Sequence, residues 1–421
     1  MALPQHYKTS HKVRIPASEL ELGMYVAELD RPWEETPFLF QGFTVRSEDD
    51  IRTVQAHCRH VVVDRLKYVR IDRRPREEKK KRRPRTRYRG RADFSPPPVE
   101  EALEQAEKTF DESNRLVRGI MDDVRLGKAI DTPAAREVVS TCVDNILENP
   151  DAMTLLTRIR QKDEYTSEHS LSVAVLSISL GRALGLDRER LNELGLCGML
   201  HDIGKIMTPD EVLKKPGRLT PEEMEVMKAH PVQGRDILLS TDGVTATALD
   251  VAHAHHERVD GSGYPRGLTV DQMTLYTRIV AVTDTFDAIT SDRVYDTGRT
   301  NIEAFKILTQ GSGRQWDGNL VTRFIRTIGI YPPGALVELS DGRLALVLES
   351  NPRYQLRPKV LLIPADGRSM DRATVLDLET TLQDAQGEPL TIVRVLRPRD
   401  VGVDLHALRQ NGLFRSLLED L

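Results

Sequence analysis

The chain has 421 residues and a formal net charge of −4, which allows two or three domains with a sizeable core. Its slightly acidic balance argues against a general nucleic-acid binder, whose surface would be basic. Cys58, Cys142 and Cys197 are far apart and form no CxxC pair, so they supply neither a disulfide framework nor a zinc knuckle and suit a reducing compartment.

No segment of the sequence has the pattern of a membrane span or a secretory signal. The N-terminal stretch MALPQHYKTSHK has no apolar region, which a signal peptide requires. The most apolar run, Leu171 to Leu186, carries Arg182 and several serines and is too short to cross a bilayer. We therefore predict a buried core helix here, and a soluble, cytoplasmic protein with no transmembrane segment.

The first part of the chain divides into a small domain and a basic segment. Residues 1–72 contain short strand-like runs punctuated by Gly and Pro, which predicts a mixed α/β domain. Residues 73–98 are rich in Lys, Arg and Pro. Composition favours a solvated, flexible linker here, while an electrostatic arm for nucleic acid, an anionic membrane or another acidic partner stays open.

The remainder is predicted to be mainly α-helical with a β-rich end. Residues 99–150 place apolar side chains at helical spacing, which predicts connecting helices. Helical patterns continue over 151–330. After Tyr331 to Gly334 the pattern changes to short alternating runs ended by turn residues, so residues 331–421 are predicted to be a β-rich extension packed on the helical body.

Potential metal ligands recur between residues 165 and 284. Metals that are not held by thiolates use imidazole and carboxylate ligands, which must converge from several helices. The candidates are His169, His201, Asp202, His230, His253, His255, His256 and Asp284. His169 shares a helical face with apolar residues, and Asp284 interrupts an apolar run, where an unpartnered carboxylate is costly. Each alone could be a hydrogen-bonded core residue, but together they predict a metal site.

Two strings carry a family resemblance. HDIGK, from His201, and HHERVDGSGYPRGL, from His255, resemble the HD-GYP family of metal-dependent phosphodiesterases, and the motif HHExxDGxGYP is complete from His255 to Pro265. The resemblance covers about Leu155 to Ile330 and implies an HD-type helical bundle for 151–330. The N-terminal region is similar to the small domain that often precedes such bundles.

The resemblance implies a set of site residues. The metal ligands that it implies are His169, His201, Asp202, His230, His255, His256 and Asp284. Asp202 is expected to bridge two metals and, with Lys205, to serve catalysis. Lys205 would stabilise charge on the phosphoryl oxygens or the leaving group, the alternative being a merely solvated lysine.

The metals are expected to be two divalent ions. Tyr165 stands where three-metal members of the family have a glutamate, so it is expected to lie beside the ligands without binding a third ion. Nitrogen and oxygen ligands fit iron, manganese or another transition metal, and the family often uses iron. Glu257 is expected to orient the ligands from behind, and His253, outside the motif, to lie at the surface or beside them.

Substrate contacts are implied for the loop and for the segment after Asp284. Gly263 and Tyr264 lie in the GYP loop, and Arg293 matches a phosphate-binding arginine. Asp296 stands in place of a second, cationic residue and would repel phosphate. Arg299 is a candidate replacement for that contact.

The implied activity is hydrolysis of cyclic di-GMP to pGpG, with GMP as a further product left open. Two alternatives remain: a sensor that binds the nucleotide or a partner protein with little turnover, which Asp296 motivates, and a hydrolase of another phosphoester such as a related cyclic dinucleotide. Protein partners through the GYP loop or the N-terminal domain, and a homodimer, are further expectations.

Overall fold

The structure is a computed structural model that describes residues 12–30, 43–45, 48–64, 99–159, 165–291, 298–363 and 374–411. The chain divides into two compact units, Met1–Arg89 and Gly90–Leu421. The linker predicted for residues 73–98 lies outside the described residues, and the predicted domain boundaries stay predictions.

The first unit is a small antiparallel sheet with one described helix. Its elements are β1 (Lys12–Pro16), β2 (Tyr25–Leu29), β3 (Phe43–Thr44), α1 (Glu48–His57) and β4 (His60–Asp64). The strands lie in the order β1-β4-β2-β3. Val26, Val54 and Val61 form a core of this unit's own, because alternate residues of a strand point to the same face. The predicted mixed α/β character is confirmed.

The second unit is built mainly from helices. They are α2 (Val99–Arg125), α3 (Thr132–Glu148), α4 (Pro150–Leu156), α5 (Tyr165–Ala183), α6 (Arg188–Leu200), α7 (Asp210–Leu213), α8 (Pro221–Lys228), α9 (His230–Leu239), α10 (Ala246–Ala254), α11 (Leu275–Thr290), α12 (Asn301–Gly311) and α13 (Gly318–Ile328). Side-chain caps mark many of the starts: Asp187 begins α6, and Thr220 and Thr300 form capping boxes for α8 and α12, which satisfy free backbone N–H groups.

Helix α5 lies at the centre of this unit. Residues 171–181 of its apolar run are all buried against α6, α11 and their neighbours, as predicted for a core helix. A Cβ added at Gly195 would lie 2.8 Å from Ile178 of α5, and one at Gly198 would lie 2.9 Å from the Ala174 backbone. These glycines therefore let α5 and α6 pack at backbone distance. Within the described residues, no helix has both the length and the hydropathy needed to cross a membrane.

The C-terminal region is a sheet that shares the helical core. Strands β5 (Leu336–Leu339), β6 (Leu344–Glu349), β7 (Lys359–Leu362), β8 (Val375–Asp377) and β9 (Ile392–Leu396) pair in the order β8-β7-β6-β5-β9. Leu336, Leu346 and Leu348 belong to the same buried cluster as the helices, which confirms a β-rich end packed on the body. A short helix that was not predicted, α14 (Leu405–Gln410), follows, and its Arg409 pairs with Glu107 and Asp111 of α2.

Candidate metal centre

His201 and Asp202 occupy a sharp corner of the chain. Helix α6 ends at Leu200, and after Asp202 the chain enters a 3-10 helix, Ile203–Met207. Gly204 lies inside this 3-10 helix. A Cβ there would collide with the backbone at His230 and Gly234, so the glycine is needed to bring the corner against the start of α9.

The predicted ligands gather from several helices at this corner. His169 lies near the start of α5 and Asp284 within α11, while His255 and His256 follow the end of α10. Among the described residues they form two groups whose candidate ligand atoms lie within 4.8 Å of one another. The groups are Asp202, His230, His255 and His256, and His169, His201 and Asp284.

The two oxygens of Asp202 face different groups. Oδ2 lies 3.4 Å from Nε2 of His169 and 3.3 Å from Nε2 of His201. Oδ1 lies 3.3 Å from Nε2 of His230 and 3.5 Å from Nε2 of His255. One carboxylate therefore stands between the groups with an oxygen for each, which is the arrangement that a bridging ligand requires.

The buried polar atoms of this cluster favour a bound cation. Asp202 is 1% exposed and His201 is fully buried. Nε2 of His201 and Oδ1 of Asp202 are buried and make no hydrogen bond within the described part of the chain, although unsatisfied polar atoms in a core are costly. The donors are nitrogens and oxygens without thiolates, a set that suits divalent transition metals.

The protonation of these groups follows from their mutual contacts. Burial raises the pKa of Asp202, but His201 and Lys205 outweigh it and hold that pKa well below its usual range. Burial also lowers the pKa of His201, yet Asp202 and Asp284 raise it to about 9. Burial, helped by Lys205, lowers the pKa of His230 to about 3. Asp202 is thus ionised and His230 neutral, as metal ligands must be.

Backbone carbonyl groups orient three of the five imidazoles through contacts with Nδ1. Nδ1 of His201 lies 2.7 Å from the Gly198 oxygen, and Nδ1 of His230 lies 2.6 Å from the Met227 oxygen. His255 has the same relation to Ala252 at 2.9 Å. An Nδ1–H that donates to a carbonyl leaves Nε2 for a metal, so His230 and His255 have the orientation that a ligand needs. His201 has the same orientation, but its raised pKa means that a metal would have to displace the proton from Nε2.

Asp287 belongs to the centre although the sequence analysis did not identify it. Its Oδ2 lies 2.6 Å from Nδ1 of His169, and its side chain is buried. The signal was present in the sequence: Asp287 follows Asp284 by three positions on a helical pattern, so both carboxylates share one face of α11.

Lys205 lies directly against the cluster. Its Nζ is 2.5 Å from Oδ2 of Asp202, and its side chain is 19% exposed. A solvated lysine would point into water, whereas this side chain is mostly buried and its ammonium contacts the Asp202 carboxylate. It can therefore act on an anion that approaches the cluster from outside.

The GYP loop lies beside His256. The ring of Tyr264 stacks on His256 with centroids 4.9 Å apart. A Cβ at Gly263 would lie 2.5 Å from Cα of Glu257, so the loop folds back on the motif at backbone distance. The buried Glu257 accepts the N–H groups of Arg266 at 2.6 Å and Leu268 at 2.9 Å. Glu257 therefore holds the loop in place and does not belong to either ligand group.

Other candidate residues are not brought to the cluster. His253 is outside both groups, with Nε2 3.5 Å from Nη1 of Arg235. Arg299 is exposed, and none of its contacts within the described residues reaches the ligands. Arg293 and Asp296 lie outside the described residues, and of Tyr165 only the backbone, at the start of α5, is described.

Comparisons with known proteins agree with this geometry. Residues 148–320 match the family described as HD domain, residues 12–135 a domain of unknown function, and residues 336–403 a KOW domain associated with HD domains. A cyclic di-GMP phosphodiesterase of Pseudomonas aeruginosa is 38% identical over 353 residues, which cover 82% of this chain and 84% of that protein. The chain belongs to the HD-GYP family of phosphodiesterases.

Other similar proteins have related names. A cyclic di-GMP phosphodiesterase of Thermotoga maritima is 37% identical over 46% of this chain and 52% of its own length. A 3'3'-cGAMP-specific phosphodiesterase of Vibrio cholerae is 41% identical over 34% of this chain and 33% of its own length. A solved HDG"Y"P protein from Bdellovibrio bacteriovorus has a TM-score of 0.46 and 16% identity, covering 74% of this chain and 98% of its own.

Proposed function

We propose that this HD-GYP protein hydrolyses cyclic di-GMP to linear pGpG, with GMP as a further product. The observation that carries the proposal is the position of Asp202, whose two oxygens each face one group of buried ligands. The name of the Pseudomonas relative, which matches most of the chain, supports the substrate.

The cluster is proposed to hold two divalent metal ions. His169, His201 and Asp284 would hold one, His230, His255 and His256 the other, and Asp202 would bridge them. Iron is the proposed metal, with manganese or another transition metal as alternatives, since the donors are imidazoles and carboxylates. When bound, such a pair would polarise a phosphodiester and lower the pKa of a bound water.

The protein's own groups would position the substrate and stabilise charge. Lys205, held at Asp202, can donate to a phosphoryl oxygen as negative charge develops on it. Tyr264 offers an aromatic face beside His256 on which a guanine base can stack. Gly263 lets the loop carrying Tyr264 approach the motif, and Arg293 is proposed to bind phosphate.

Hydrolysis of a related cyclic dinucleotide is the second candidate. It is favoured by the similarity to the Vibrio 3'3'-cGAMP-specific enzyme. It is also favoured by Asp296, a carboxylate where the family has a cationic phosphate contact, which alters the charge that the substrate meets. Because Asp296 could also reduce turnover, the alternative that the protein is a sensor that binds the nucleotide stays open.

Turnover by metal-replete protein tests these proposals. We expect anaerobically purified protein to hydrolyse cyclic di-GMP, and Asp284→Ala and His201→Ala to abolish the activity. His253→Ala is the matched control, because it removes an imidazole near the motif but outside both ligand groups. Hydrolysis of 3'3'-cGAMP alone would favour the second candidate, and full metal occupancy with neither substrate cleaved would favour the sensor.

Assembly through the GYP loop, the N-terminal domain or a second copy of the chain is a further proposal. Ser262 and Pro265 of the loop are exposed, so a partner can reach them. Sedimentation of the purified chain tests the homodimer, and a monomer over the accessible concentration range would contradict it.

A further inference from the structure

His169 obtains its orientation differently from three of the other imidazoles. His201 and His255 cap the C-termini of α6 and α10, and His230 follows the end of α8. The last carbonyl groups of a helix have no partner within the helix. These are the groups that accept from Nδ1 of the three imidazoles, as the contacts with Gly198, Ala252 and Met227 show.

His169 lies inside α5, one turn after its start, so it has no such free carbonyl behind it. The adjacent carbonyls of α5 accept hydrogen bonds from the next turn of the same helix. The acceptor comes from another helix instead. Oδ2 of Asp287, on α11, lies 2.6 Å from Nδ1 of His169, and Asp287 is 1% exposed.

We infer that Asp287 is a positioning residue that makes His169 a metal ligand. Its carboxylate accepts the Nδ1 proton, which fixes the tautomer, turns Nε2 toward Asp202 and Asp284, and makes the ring a stronger donor. The distances from Nε2 to those carboxylates, 3.4 and 3.2 Å, show that the ring already points into the cluster. This inference rests on the proposed metal centre.

The geometry also indicates that Asp287 affects metal binding by only one of the two ligand groups. Its partner His169 belongs to the group with His201 and Asp284. The other group has neutral carbonyls behind His230 and His255. Loss of the Asp287 charge should therefore weaken the first metal position and leave the second nearly intact.

Binding of Mn²⁺ to chelator-stripped protein tests this. Asp287→Asn keeps the volume of the side chain but removes its charge, and we expect one of the two Mn²⁺ equivalents to bind about 10- to 100-fold more weakly. Ser177→Ala is the control: Ser177 Oγ lies 2.8 Å from Thr283 Oγ1 and joins the same two helices without touching a ligand. The control should bind Mn²⁺ like the parent chain.

A second variant separates this inference from the proposed function. His169→Ala should weaken the same equivalent, and adding Asp287→Asn to it should change the affinity no further. If His169→Ala has no effect, the ligand assignment fails. If His169→Ala weakens binding but Asp287→Asn does not, or if Ser177→Ala weakens it equally, only the role of Asp287 is overturned.

A measurement on the unaltered chain covers the case in which Asp287→Asn does not fold. In Zn²⁺-loaded protein, the ring nitrogen shifts of His169 should show a protonated Nδ1. A proton on Nε2 instead would overturn the inference, since that nitrogen could not then bind metal.

Discussion

Asp202 is the residue on which both ligand groups depend. Each histidine can serve one metal, but Asp202 presents one oxygen to His169 and His201 and the other to His230 and His255. Its ammonium neighbour Lys205 offsets part of the negative charge. Replacing this side chain should therefore cost more than replacing any single imidazole.

The first prediction concerns Asp202→Asn. The asparagine amide has one oxygen and no charge, so it cannot bridge two metal ions. We expect the metal content to fall from about two ions per chain to one or fewer. Turnover of cyclic di-GMP should fall at least about 100-fold. His256→Ala should retain the metal of the other group. Metal analysis of both variants checks this, and two tightly bound metals in Asp202→Asn would contradict the bridge.

The second prediction concerns Gly263, where the loop touches the motif. Gly263→Ala would place a methyl group 2.5 Å from Cα of Glu257, and backbone cannot yield as a side chain can. We expect about 1–3 kcal/mol of destabilisation and a raised KM, because Tyr264 is displaced. Gly119→Ala in α2, where nothing lies within 4 Å, is the control and should be neutral or stabilising. Thermal unfolding and steady-state kinetics measure both.

The helices that supply ligands are fixed to one another at their ends. Helix α6 ends just before His201, α10 ends just before His255, and α9 begins at His230. Gly198 lets α6 approach the backbone of α5, and Gly204 lets the corner approach the start of α9. The centre is therefore set by element ends, and a shift of one helix would move a ligand directly.

Helix α4 connects the helical body to the C-terminal sheet through Asp151. Its Oδ2 accepts the N–H and the hydroxyl of Ser350, at 2.8 and 3.0 Å, just after β6. Burial raises the pKa of Asp151 to about 6, although the bonds from Ser350 oppose the change. The folded state therefore binds this proton more tightly than the unfolded state.

The third prediction follows from the sign of that difference. Asp151 contributes stability below pH 4, and the contribution is lost as pH rises to about 6, a change on the order of 3 kcal/mol. The Asp151→Asn side chain has no charge to bury, so its contribution does not fall as pH rises. Between pH 4 and 7, the free energy of unfolding of the chelator-stripped variant should therefore increase relative to that of the chelator-stripped parent. A constant difference across this range would contradict it.

The C-terminal strands contribute to the main helical core of the second unit and also form a smaller apolar cluster of their own. Leu336, Leu346, Leu348 and Leu361 belong to the same buried cluster as α2 to α6. The first unit has a separate core of its own. Removing the first unit should therefore destabilise the helical body less than removing the C-terminal strands.

The fourth prediction compares two truncations. Residues 99–421 retain the complete second core, so this fragment should fold and bind metal. Residues 99–330 lose the four leucines, each worth about 1.5–3 kcal/mol when buried, and should aggregate or melt at a much lower temperature. Circular dichroism and metal content test both, and a stable, metal-bound 99–330 would show that the sheet is dispensable.

The sequence by itself determined the family resemblance, the candidate ligands and the local secondary structure. The motif strings identified the family and the seven candidate ligands, and local periodicity identified the buried helix, the mixed N-terminal domain and the β-rich end. These features depend on neighbours a few positions apart, which a single sequence displays. The ligand roles remain proposals for the metal experiments to test.

Only the tertiary structure decided how distant residues meet. It divided the candidate ligands into two groups and placed one oxygen of Asp202 toward each. It showed that Glu257 binds the GYP loop. It also brought Asp287 to Nδ1 of His169, 118 positions away along the chain. It also placed Gly204 against the backbone at the start of α9. Such relations depend on how helices pack, because packing sets distances and directions that spacing along one helix does not contain.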